Sequence, residues 1–576
     1  MLFHVNQTDP NADIVIEQTE LKKGITNLKV KMTSPLPTTP TSFSVQWSFP
    51  AVDCYSIFSP STNVPEYILP NWSGRKATPS RLAENMPLHS IVSHNGTNRM
   101  TIAVSDAVTP LSISTGVSEE TACFDCKVTF FTIPVSPLQE YTAIIRIDLR
   151  NIPCYDSICD IVNWWENECG YLPAKVPEHA RLPINSLWYS YHQQLNPEDI
   201  LKECRLSKEY GMETVIIDDG WQTDDTNRGY AFCGDWKVAS GKIPDMRHFV
   251  QQIHDTGMKV ILWYSVPFIG KNSENYHRFK EMILDGTEKR NSYWALDPRY
   301  PEVRYFLVDT YVRAVTDWNL DGLKLDFINS FVLKGKSIPC DPRRDYESLE
   351  AAVDVLMSEV YSSLTKINPD ILIEFRQPYV GPAIRKYGNM LRVGDCPNDA
   401  IRNRKNTIKL RLTSGKTAVH SDMLMWNVND PVEHAALQLV SSLYSVPQIS
   451  MKIAALNDEH RRMLKYYLSF WRAHRDVLLD GKLIANNHES HFSLVRAQKN
   501  RCEIVTAYTD RIIRQGEYIN HTIVINASSE KELFLENMVG KSYRVINCMG
   551  DVLAKSTIHD SIKAITVPLC GMIEIE

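Results

Sequence analysis

The sequence predicts a multidomain α/β and β protein, in which a central (β/α)8 TIM barrel lies between an N-terminal antiparallel β-sandwich and a small C-terminal β-sandwich. Three observations predict this order. Strand-like segments without helical periodicity fill the chain up to about residue 150, strands alternate with helical patterns from residue 186, and strand-like segments return after residue 480. We therefore divide the 576 residues into domains at 1–160, 171–480 and 481–576.

The first domain is predicted to be a sandwich of antiparallel sheets. Its candidate strands are rich in β-branched and aromatic residues, and clusters of Pro, Gly, Asn and Ser separate them, as is typical of turns. These strands are TSFSVQWSF (41–49), RMTIAVSD (99–106), KVTFFTI (127–133) and YTAIIRIDL (141–149). A short amphipathic segment at 156–169 then leads to the second domain.

The second domain contains eight short apolar segments, most of them followed by a helical pattern, which fits a (β/α)8 barrel. We predict its strands at 185–192, 214–220, 259–265, 322–327, 371–377, 389–395, 417–424 and 446–451. Asn196 as N-cap and Pro197 at the first helical position predict a helix that ends before Gly211, and two more helices are predicted at 301–318 and 430–444. An open doubly wound sheet is the rival, but it would more often carry a Gly-rich phosphate loop after its first strand.

The third domain is predicted from the loss of helical periodicity after residue 480. Five segments then have the composition of strands, and together they indicate a small β-sandwich. These segments are SLVRAQ, CEIVTAYT, HTIVINA, SYRVINC and AITVPL.

Composition excludes some classes of function. The chain has 62 Lys and Arg against 68 Asp and Glu, a net charge of −6, so a basic face for nucleic acid is not expected. No run of 18 apolar residues is present, so we expect no membrane partner. The 13 cysteines are spread thinly, and the C-x-x-C of Cys123 and Cys126 has no second pair at zinc spacing, so we expect free thiols and no metal.

The beginning of the sequence suggests a compartment. MLFHVNQTDP has neither a basic n-region nor an apolar h-region, so no signal peptide is visible and a cytoplasmic protein is expected. A periplasmic or secreted protein is the alternative if the sequence is a mature or engineered form.

Acidic residues stand at the C-terminal ends of the predicted barrel strands, where enzymes of this fold carry their sites. Because Asp is depleted in strands, this pattern indicates function. The strand ends are Asp218-Asp219-Gly220-Trp221, Lys324-Leu325-Asp326, Arg392-Val393-Gly394-Asp395 and His420-Ser421-Asp422, while strands three and five carry Trp263 and Arg376.

Two of these aspartates have complementary settings. Lys324 and Asp326 are two residues apart on one strand, so their side chains point to the same side. The Lys charge would lower the pKa of Asp326, which suits a nucleophile, whereas Asp395 after an apolar strand could have a raised pKa and donate a proton. Glycoside hydrolases use such a pair of carboxyl groups for catalysis. An internal ion pair is the structural alternative for Lys324 and Asp326.

Several neighbours also have structural alternatives. One of Asp218 and Asp219 is expected to cap the turn at Gly220, while the other faces the pocket. His420 and Asp422 suit a site or a structural role equally well.

The aromatic and basic side chains at this end of the barrel could likewise have either a binding role or a structural role. Trp188 and Trp263 are interpreted as pocket walls, although core aromatic residues look the same in a sequence. Arg376 shares a strand face with Glu374, so we favour an ion pair between them over binding of an anionic substituent.

At these residues the sequence resembles the retaining α-galactosidases of glycoside hydrolase family 36, in the clan that also includes family 27 and the raffinose-synthase-like proteins. The matching segments follow the expected order over about residues 185–400, and the three-domain layout is also that of the family. The segments are Asp218-Asp219-Gly220-Trp221, Gly234-Asp235-Trp236, HDTGMKVILW (254–263), LDPRYPEVRYFL (296–307), Lys324-Leu325-Asp326 and Arg392-Val393-Gly394-Asp395.

The resemblance implies a role for each matched residue. Asp326 would be the nucleophile and Asp395 the general acid and base of a double displacement, with carboxyl groups about 5–5.5 Å apart. No metal or organic cofactor is implied. By the same resemblance, the other matched residues would bind the sugar: Asp218 and Asp219 at O4 and O6, Lys324 at O3 and O4, Arg392 at O2 or O3, and Trp188 and Trp236 as apolar walls. Trp221 of the first matched segment is a further substrate-binding candidate, and Trp263 and Arg376 are candidates from their strand positions rather than from the resemblance.

The chain also departs from the family, which leaves the substrate open. Strand five reads Glu374-Phe375-Arg376-Gln377-Pro378, where the family usually has a Cys and a Gly-rich loop at the O2 side of the sugar, and strand three lacks the usual Trp-x-Glu-Pro. The expected function is hydrolysis of terminal α-linked galactose-type residues from an oligosaccharide or glycan. A transglycosylase, a glycosidase for an N-acetylated or anionic sugar, and an inactive sugar-binding barrel are the alternatives, although the presence of both aspartates opposes the last. A homo-oligomer is compatible with the long N-terminal sandwich.

Overall fold

A computed structural model of the protein describes residues 1–7, 10, 12–284, 288, 292–333 and 341–576. Alternation of apolar and polar residues builds the N-terminal domain: in the strand at 43–50, Val45, Trp47 and Phe49 are buried while Ser48 between them is exposed. The elements of this domain are β1 (His4–Asn6), β2 (Asp13–Lys22), β3 (Ile25–Thr38), β4 (Phe43–Pro50), β5 (Ser56–Phe58), β6 (Ala77–Ser80), β7 (Leu88–Val92), β8 (Asn98–Val104), β9 (Leu111–Val117), β10 (Cys123–Phe130), β11 (Leu138–Asp148) and α1 (Cys154–Asn167).

These strands form two antiparallel sheets whose apolar faces share one core. The five-stranded sheet has the order β1-β4-β10-β9-β6, and the six-stranded sheet has the order β2-β3-β11-β8-β7-β5. Helix α1 packs Trp165 beneath the second sheet, where its indole N–H donates to the carbonyl of Val104 at 2.8 Å. The predicted sandwich is therefore present.

The middle domain alternates strands and helices. Its strands are β12 (Ile184–Ser186), β13 (Thr214–Ile217), β14 (Lys259–Ser265), β15 (Phe268–Gly270), β16 (Tyr293–Ala295), β17 (Gly322–Asp326), β18 (Leu372–Arg376), β19 (Met390–Arg392), β20 (Ala418–His420) and β21 (Gln448–Ile449). Its helices are α2 (Trp188–Tyr191), α3 (Pro197–Glu209), α4 (Met246–Asp255), α5 (Tyr276–Phe279), α6 (Pro301–Trp318), α7 (Leu349–Ile367), α8 (Ala400–Thr413), α9 (Val432–Ser441) and α10 (Asp458–Ala473).

Eight of these strands form a parallel sheet in the order β20-β19-β18-β17-β14-β13-β12-β21. Parallel bridges from His420 to Val446 and from Leu424 to Ile449 bring its two ends together, so the sheet closes as a barrel. All strands point the same way, and their C-terminal ends meet at one mouth. Strands β15 and β16 form a separate hairpin beside it.

Helix α3 shows why the predicted helices form where they do. The side chain of Asn196 accepts from the amide of Asp199 at 3.1 Å, Pro197 opens the first turn, and Gly211 adopts a φ of +83° just past the end. The first barrel strand differs from the prediction, since it ends at Ser186 and the chain turns into helix α2 at Trp188. The backbone must leave the sheet at the barrel mouth, and a run of aromatic residues does not reveal that exit.

The C-terminal domain is a small β-sandwich that packs on the barrel. A hydroxyl of Tyr444, from the barrel domain, donates to the carbonyl of Val495 at 2.9 Å. The strands form a seven-stranded sheet and a three-stranded sheet. Helix α11 (Arg475–Asp480) leads into this domain. Its strands are β22 (Lys482–Asn486), β23 (Leu494–Lys499), β24 (Cys502–Ala507), β25 (Ile512–Arg514), β26 (His521–Asn526), β27 (Glu532–Glu536), β28 (Ser542–Ile546), β29 (Val552–Thr557), β30 (Ile562–Thr566) and β31 (Met572–Ile575). The predicted fold class is confirmed.

The N-terminal domain also supports loops at the barrel mouth. The guanidinium of Arg81 donates to the carbonyls of Phe331 and Asn329, both at 2.8 Å, just after strand β17. The amide of Asn85 donates to the carbonyl of Pro378, after strand β18, at 2.7 Å. The first domain therefore fixes the loops that follow two adjacent barrel strands. None of the described helices has both the length and the apolar composition needed to cross a membrane.

Candidate active site

A cavity of about 180 Å³ opens at the C-terminal ends of the barrel strands. At roughly 30 Å³ for each liquid water, this volume holds about six waters, which is the scale of one sugar ring. Larger cavities lie on the N-terminal sandwich and at the base of the barrel, away from the strand ends. The lining residues are Trp188, Asp218, Asp219, Tyr230, Trp263, Lys324, Asp326, Phe327, Arg376, Arg392 and Asp395.

Asp326 ends strand β17, and its two carboxylate oxygens have different surroundings. Oδ1 accepts three hydrogen bonds, from the amide of Phe327 at 2.7 Å, from Nε of Arg376 at 2.7 Å and from the hydroxyl of Tyr379 at 2.9 Å. Oδ2 accepts one, from the indole N–H of Trp263 at 3.1 Å. The carboxylate is therefore held rigidly through Oδ1.

The backbone after Asp326 makes the first of these bonds possible. Phe327 has a φ of 65° and a ψ of 20°, in the left-handed region that residues other than glycine rarely adopt. This conformation ends the strand and turns the amide of Phe327 back towards the carboxylate. Strain of this kind, of order 1–3 kcal/mol, is typical of functional sites.

Asp326 is ionised in this environment. Burial by itself raises the pKa of the carboxyl. The guanidinium of Arg376 opposes this most strongly, followed by Lys324 and Arg392, and the pKa falls to about 2. The lowered pKa agrees with the expectation from the sequence, but the leading cation is Arg376 rather than Lys324.

Lys324 instead pairs with an aspartate that follows strand β13, on the far side of strand β14. Its ammonium lies 2.6 Å from Oδ2 of Asp218, and both side chains are buried. Asp219 accepts from the amide groups of Gln193 at 2.7 Å and of Gln222 at 2.6 Å. Burial raises the pKa of Asp219 to about 6, so its charge is held less firmly than that of Asp326.

The turn after these two aspartates requires a glycine. Gly220 has a φ of +114°, and a Cβ at this position would lie 2.6 Å from the Cα of Gln193. The amide of Asp219 donates to Oδ1 of Asp218 at 3.0 Å, so Asp218 is the residue that caps the turn, as predicted for one of the pair. Both side chains nevertheless line the cavity.

Asp395 lines the same cavity, and 52% of its side chain is exposed. Nη1 of Arg392 donates to its Oδ1 at 2.9 Å. Burial raises the pKa of Asp395, but the charge of Arg392, with smaller contributions from Arg376 and Lys324, lowers it below the ordinary value. The predicted raised pKa is wrong, because the apolar strand before Asp395 does not reveal that Arg392 turns back onto it.

Arg392 is itself the centre of a buried network. The same Nη1 lies 2.6 Å from Oδ1 of Asp422, and its Nε lies 3.5 Å from Glu374. Asp422 also accepts from the amide of Cys396 at 2.6 Å, which fixes the turn beside Asp395. Burial raises the pKa of Asp422, against the charge of Arg392. The sequence leaves both His420 and Asp422 open between a site role and a structural role. Asp422 contacts Arg392 at the base of the site, and neither residue lines the cavity.

Arg376 was predicted to pair with Glu374, and this is wrong. Its Nε donates to Asp326, and its Nη1 donates to the backbone carbonyl of Gln377 at 2.9 Å. Glu374 lies deeper in the barrel, where Gln448 donates to it and Arg392 is nearby. Side chains two residues apart on a strand share a face, but they lie at different depths in a barrel.

The four predicted tryptophans separate into two pairs. Trp188, from helix α2, and Trp263, from strand β14, both line the cavity. Trp221 and Trp236 do not, which corrects their assignment to the sugar site. Trp221 is fully buried, stacks on Trp236 at 6.0 Å between ring centroids, and donates to the carbonyl of Trp263 at 2.9 Å.

Several residues at the site were not singled out in the sequence. Tyr230 and Phe327 line the cavity, while Tyr379 donates to Asp326 and Gln193 donates to Asp219. Phe327 and Tyr379 lie one and three residues beyond Asp326 and Arg376, so extending the strand-end search by three residues would have included them. Tyr230 lies in the long connection between β13 and α4, and Gln193 lies in the short connection between α2 and α3, and neither connection carries a periodic signal.

In the part of the chain that the structure describes, no three His, Cys, Asp or Glu side chains are grouped so that they could hold a metal ion. The basic groups at the cavity are each paired with a carboxylate. The arrangement can therefore bind a polar, neutral molecule through hydroxyl groups, with one ionised carboxylate and one more exposed carboxylate beside it.

Comparisons with known proteins find relatives of this chain. Residues 174–383 match the Melibiase family model. An α-galactosidase of Geobacillus stearothermophilus is 23% identical over 343 residues, which are 56% of this chain and 45% of that protein. The matched part thus spans less than half of that curated relative. The resemblance predicted from the sequence is confirmed.

Solved structures show the same fold. A family 36 α-galactosidase of Geobacillus stearothermophilus in complex with raffinose aligns with a TM-score of 0.67 at 14% identity, over 98% of this chain and 81% of the other. Another structure of that enzyme, in complex with stachyose, aligns with a TM-score of 0.68 over the same shares of both chains.

Proposed function

We propose that the protein is a retaining exo-acting glycoside hydrolase that removes terminal α-linked galactose-type residues from oligosaccharides or glycans. The observation that carries the proposal is the shared position of Asp326 and Asp395 in one cavity of the size of a single sugar ring. One of these carboxylates is buried and ionised, and the other is half exposed, as nucleophile and acid require. The match to the Melibiase family supports the same reaction.

In the first step, Asp326 attacks the anomeric carbon while the bond from that carbon to the leaving oxygen breaks. Asp395 gives its proton to the leaving oxygen, so that the alcohol departs neutral. In the second step, water attacks the same carbon, Asp395 takes a proton from it, and the bond to Asp326 breaks with its electron pair returning to the carboxylate. Two inversions give net retention, and we expect the two carboxyl groups to be about 5–5.5 Å apart.

The charge of Asp326 couples the two steps. Burial raises the pKa of Asp395, the charges of Arg392, Arg376 and Lys324 lower it, and the negative charge of Asp326 raises it to a smaller extent. When Asp326 becomes a neutral ester, this last influence is lost while burial and the cations remain. Asp395 then gives up its proton more readily, which suits its change from acid to base.

The remaining polar side chains would hold the sugar. Asp218, Asp219 and Lys324 form a floor of paired charges that can accept from and donate to hydroxyl groups O3, O4 and O6. Trp188 would provide an apolar wall at the mouth. Because the cavity holds about one ring, we infer that the enzyme acts at chain ends, and the oligosaccharides named for the solved relatives fit this class of substrate.

The alternatives share parts of this site. A transglycosylase would use the same ester and pass the sugar to another hydroxyl instead of water. A sugar with an anionic substituent is less well supported, since Arg376 is paired with Asp326 and the cavity already contains four aspartates.

The test uses p-nitrophenyl α-galactoside, with p-nitrophenyl α-glucoside and α-N-acetylgalactosaminide as comparison substrates. We expect release of nitrophenol from the galactoside and, by proton NMR, first formation of the α-anomer of the free sugar. Asp326→Asn should lower kcat more than a thousandfold. Asp399→Asn is the matched control, because Asp399 only caps helix α8, accepting from the amide of Arg402 at 2.9 Å, and Asn caps equally well. Inversion, or no activity on any α-galactoside, would contradict the proposal.

A further inference from the structure

We propose that Arg376 is the residue that makes the glycosyl ester on Asp326 short-lived, by holding Oδ1 and leaving Oδ2 as the attacking oxygen. The inference rests on the proposed function and concerns a position where the chain departs from the family it resembles. It assigns different roles to the two oxygens of one carboxylate and predicts which half of the reaction Arg376 controls.

The two oxygens differ in how many donors they face. Oδ1 accepts from the Phe327 amide, from Arg376 and from Tyr379, so its lone pairs are occupied. Oδ2 has one neutral donor, the indole of Trp263, at the longer distance of 3.1 Å. An attacking oxygen needs a free lone pair, and Oδ2 is therefore the one that can bond to the anomeric carbon.

Once Oδ2 carries the sugar, Oδ1 becomes the carbonyl oxygen of the ester. When water displaces Asp326 in the second step, the pair of electrons from the broken bond spreads over both oxygens. Charge that returns to Oδ1 meets a guanidinium 2.7 Å away, in a position fixed before the reaction starts. Arg376 therefore stabilises the departing carboxylate more than it stabilises the neutral ester.

Arg376 is held firmly enough to act in this way. Its Nη1 donates to the carbonyl of Gln377, and its guanidinium lies over the rings of Phe327 at 5.0 Å and Tyr379 at 5.8 Å. Only 16% of its side chain is exposed. The guanidinium is thus one side of the cavity wall, in contact with the reacting carboxylate rather than free to meet a substrate group.

The same interaction has an opposite effect on the first step. A carboxylate stabilised by Arg376 is a weaker nucleophile and a better leaving group, since both follow from its low basicity. Removing Arg376 should raise the basicity of Asp326, preserve or speed formation of the ester, and slow its hydrolysis. One unit of pKa corresponds to a tenfold change, so we expect effects of about tenfold or more.

The experiment compares the wild-type protein with Arg376→Gln in a stopped-flow assay with p-nitrophenyl α-galactoside. We expect a burst of nitrophenol followed by slow turnover in Arg376→Gln, with a burst-to-steady rate ratio at least tenfold above that of wild type. Added methanol, which attacks the ester, should speed steady turnover in Arg376→Gln and yield methyl α-galactoside. The acidic limb of the kcat/KM profile should also move to higher pH.

Two further variants separate chemistry from general disruption. Tyr379→Phe removes a neutral donor to the same oxygen and should show a smaller burst than Arg376→Gln. Arg376→Lys keeps a positive charge at this position and should recover part of the rate of ester hydrolysis that Arg376→Gln loses. Melting temperatures check that each variant is folded. A folded Arg376→Gln without a burst and without a shifted acidic limb would overturn the inference. Wild-type protein inactive on every α-galactoside would instead overturn the proposed function, so the two failures are distinct.

Discussion

The ammonium of Lys324 lies 2.6 Å from Oδ2 of Asp218, and each side chain is about 95% buried. The two residues are more than a hundred positions apart in the chain, and they meet because strands β13 and β17 both neighbour strand β14. Lys324 thus neutralises the floor of the cavity, while the nearer aspartate in the sequence receives its ion pair from Arg376.

Breaking this buried pair should be costly. We expect Lys324→Met to lower the free energy of unfolding by about 3–5 kcal/mol, because Asp218 is left buried without a cation. The double variant Lys324→Met/Asp218→Asn should recover a large part of that loss. Denaturant titration measures both values, with Lys366→Met on the exposed side of helix α7 as the control, for which we expect a change within about 0.5 kcal/mol. A Lys324→Met variant as stable as the wild type would contradict the ion pair between Lys324 and Asp218.

The stability of the barrel should depend on pH through Glu203 of helix α3. Its Oε1 accepts from the amide of Ile453 at 2.7 Å, and burial raises its pKa from 4.5 to about 7. A raised pKa means that the folded state binds the proton more tightly, so the stabilisation is complete below about pH 4.5 and is lost as the pH rises through 7.

We therefore expect Glu203→Gln, which keeps the acceptor oxygen, to become more stable than the wild type by up to about 3 kcal/mol between pH 4.5 and 8. Unfolding titrations across this range provide the measurement. Glu198→Gln, exposed in the first turn of the same helix, is the control and should run parallel to the wild type. A constant difference between Glu203→Gln and wild type would show that Glu203 does not titrate in this range.

The two kinds of tryptophan at the site should respond differently to truncation. Trp221→Ala removes a fully buried ring and is expected to cost about 3–5 kcal/mol of folding free energy. Trp188→Ala should change stability little but raise KM for p-nitrophenyl α-galactoside about tenfold, through lost contact with the sugar. Thermal unfolding and steady-state kinetics on both variants measure this. Equal losses of stability would contradict the assignment of Trp188 to the cavity wall.

The effect of removing the acid and base, Asp395, should depend on the leaving group of the substrate. Asp395→Ala should lower kcat/KM about 10²–10⁴-fold for an alkyl α-galactoside, which needs a proton, and much less for the p-nitrophenyl substrate, which does not. Azide should speed turnover of the variant on the nitrophenyl substrate and yield α-galactosyl azide, because the carboxylate of Asp395 no longer repels an anion at that position. If both substrates lose activity equally, Asp395 does not act as the acid.

Activity should also fall at higher pH because Asp395 has a lowered pKa. Its protonated form is needed in the first step, and above its pKa that form decreases tenfold per pH unit. We expect kcat/KM to decline with a slope near −1 over the range from about pH 5 to 7, and the decline to persist in Asp399→Asn. A flat profile across this range would mean that another group supplies the proton.

Most of the fold and part of the site could be predicted from the sequence, for identifiable reasons. Period-two and helical patterns report local backbone geometry, and helix α6 begins and ends where its apolar spacing and Pro301 indicate. Their positions at the ends of barrel strands also predict that Asp218, Asp326 and Asp395 share one site, and all three line the cavity. Partners across strands could not be predicted, since depth in the barrel decides that Arg376 meets Asp326 and Glu374 meets Arg392. The direction of the pKa shift of Asp395 could not be predicted either, because the sequence does not reveal that Arg392, three residues earlier, turns back onto it.

The hydrogen bonds from Arg81 and Asn85 to the loops after strands β17 and β18 have a consequence for engineering. Those loops follow Asp326 and Arg376 directly, so the first domain acts as a clamp on the reacting end of the barrel. A truncated protein that begins near residue 171 would lose this clamp together with the apolar contacts around it. Transplanting the barrel into another scaffold would therefore require the segment around residues 81–85 to travel with it.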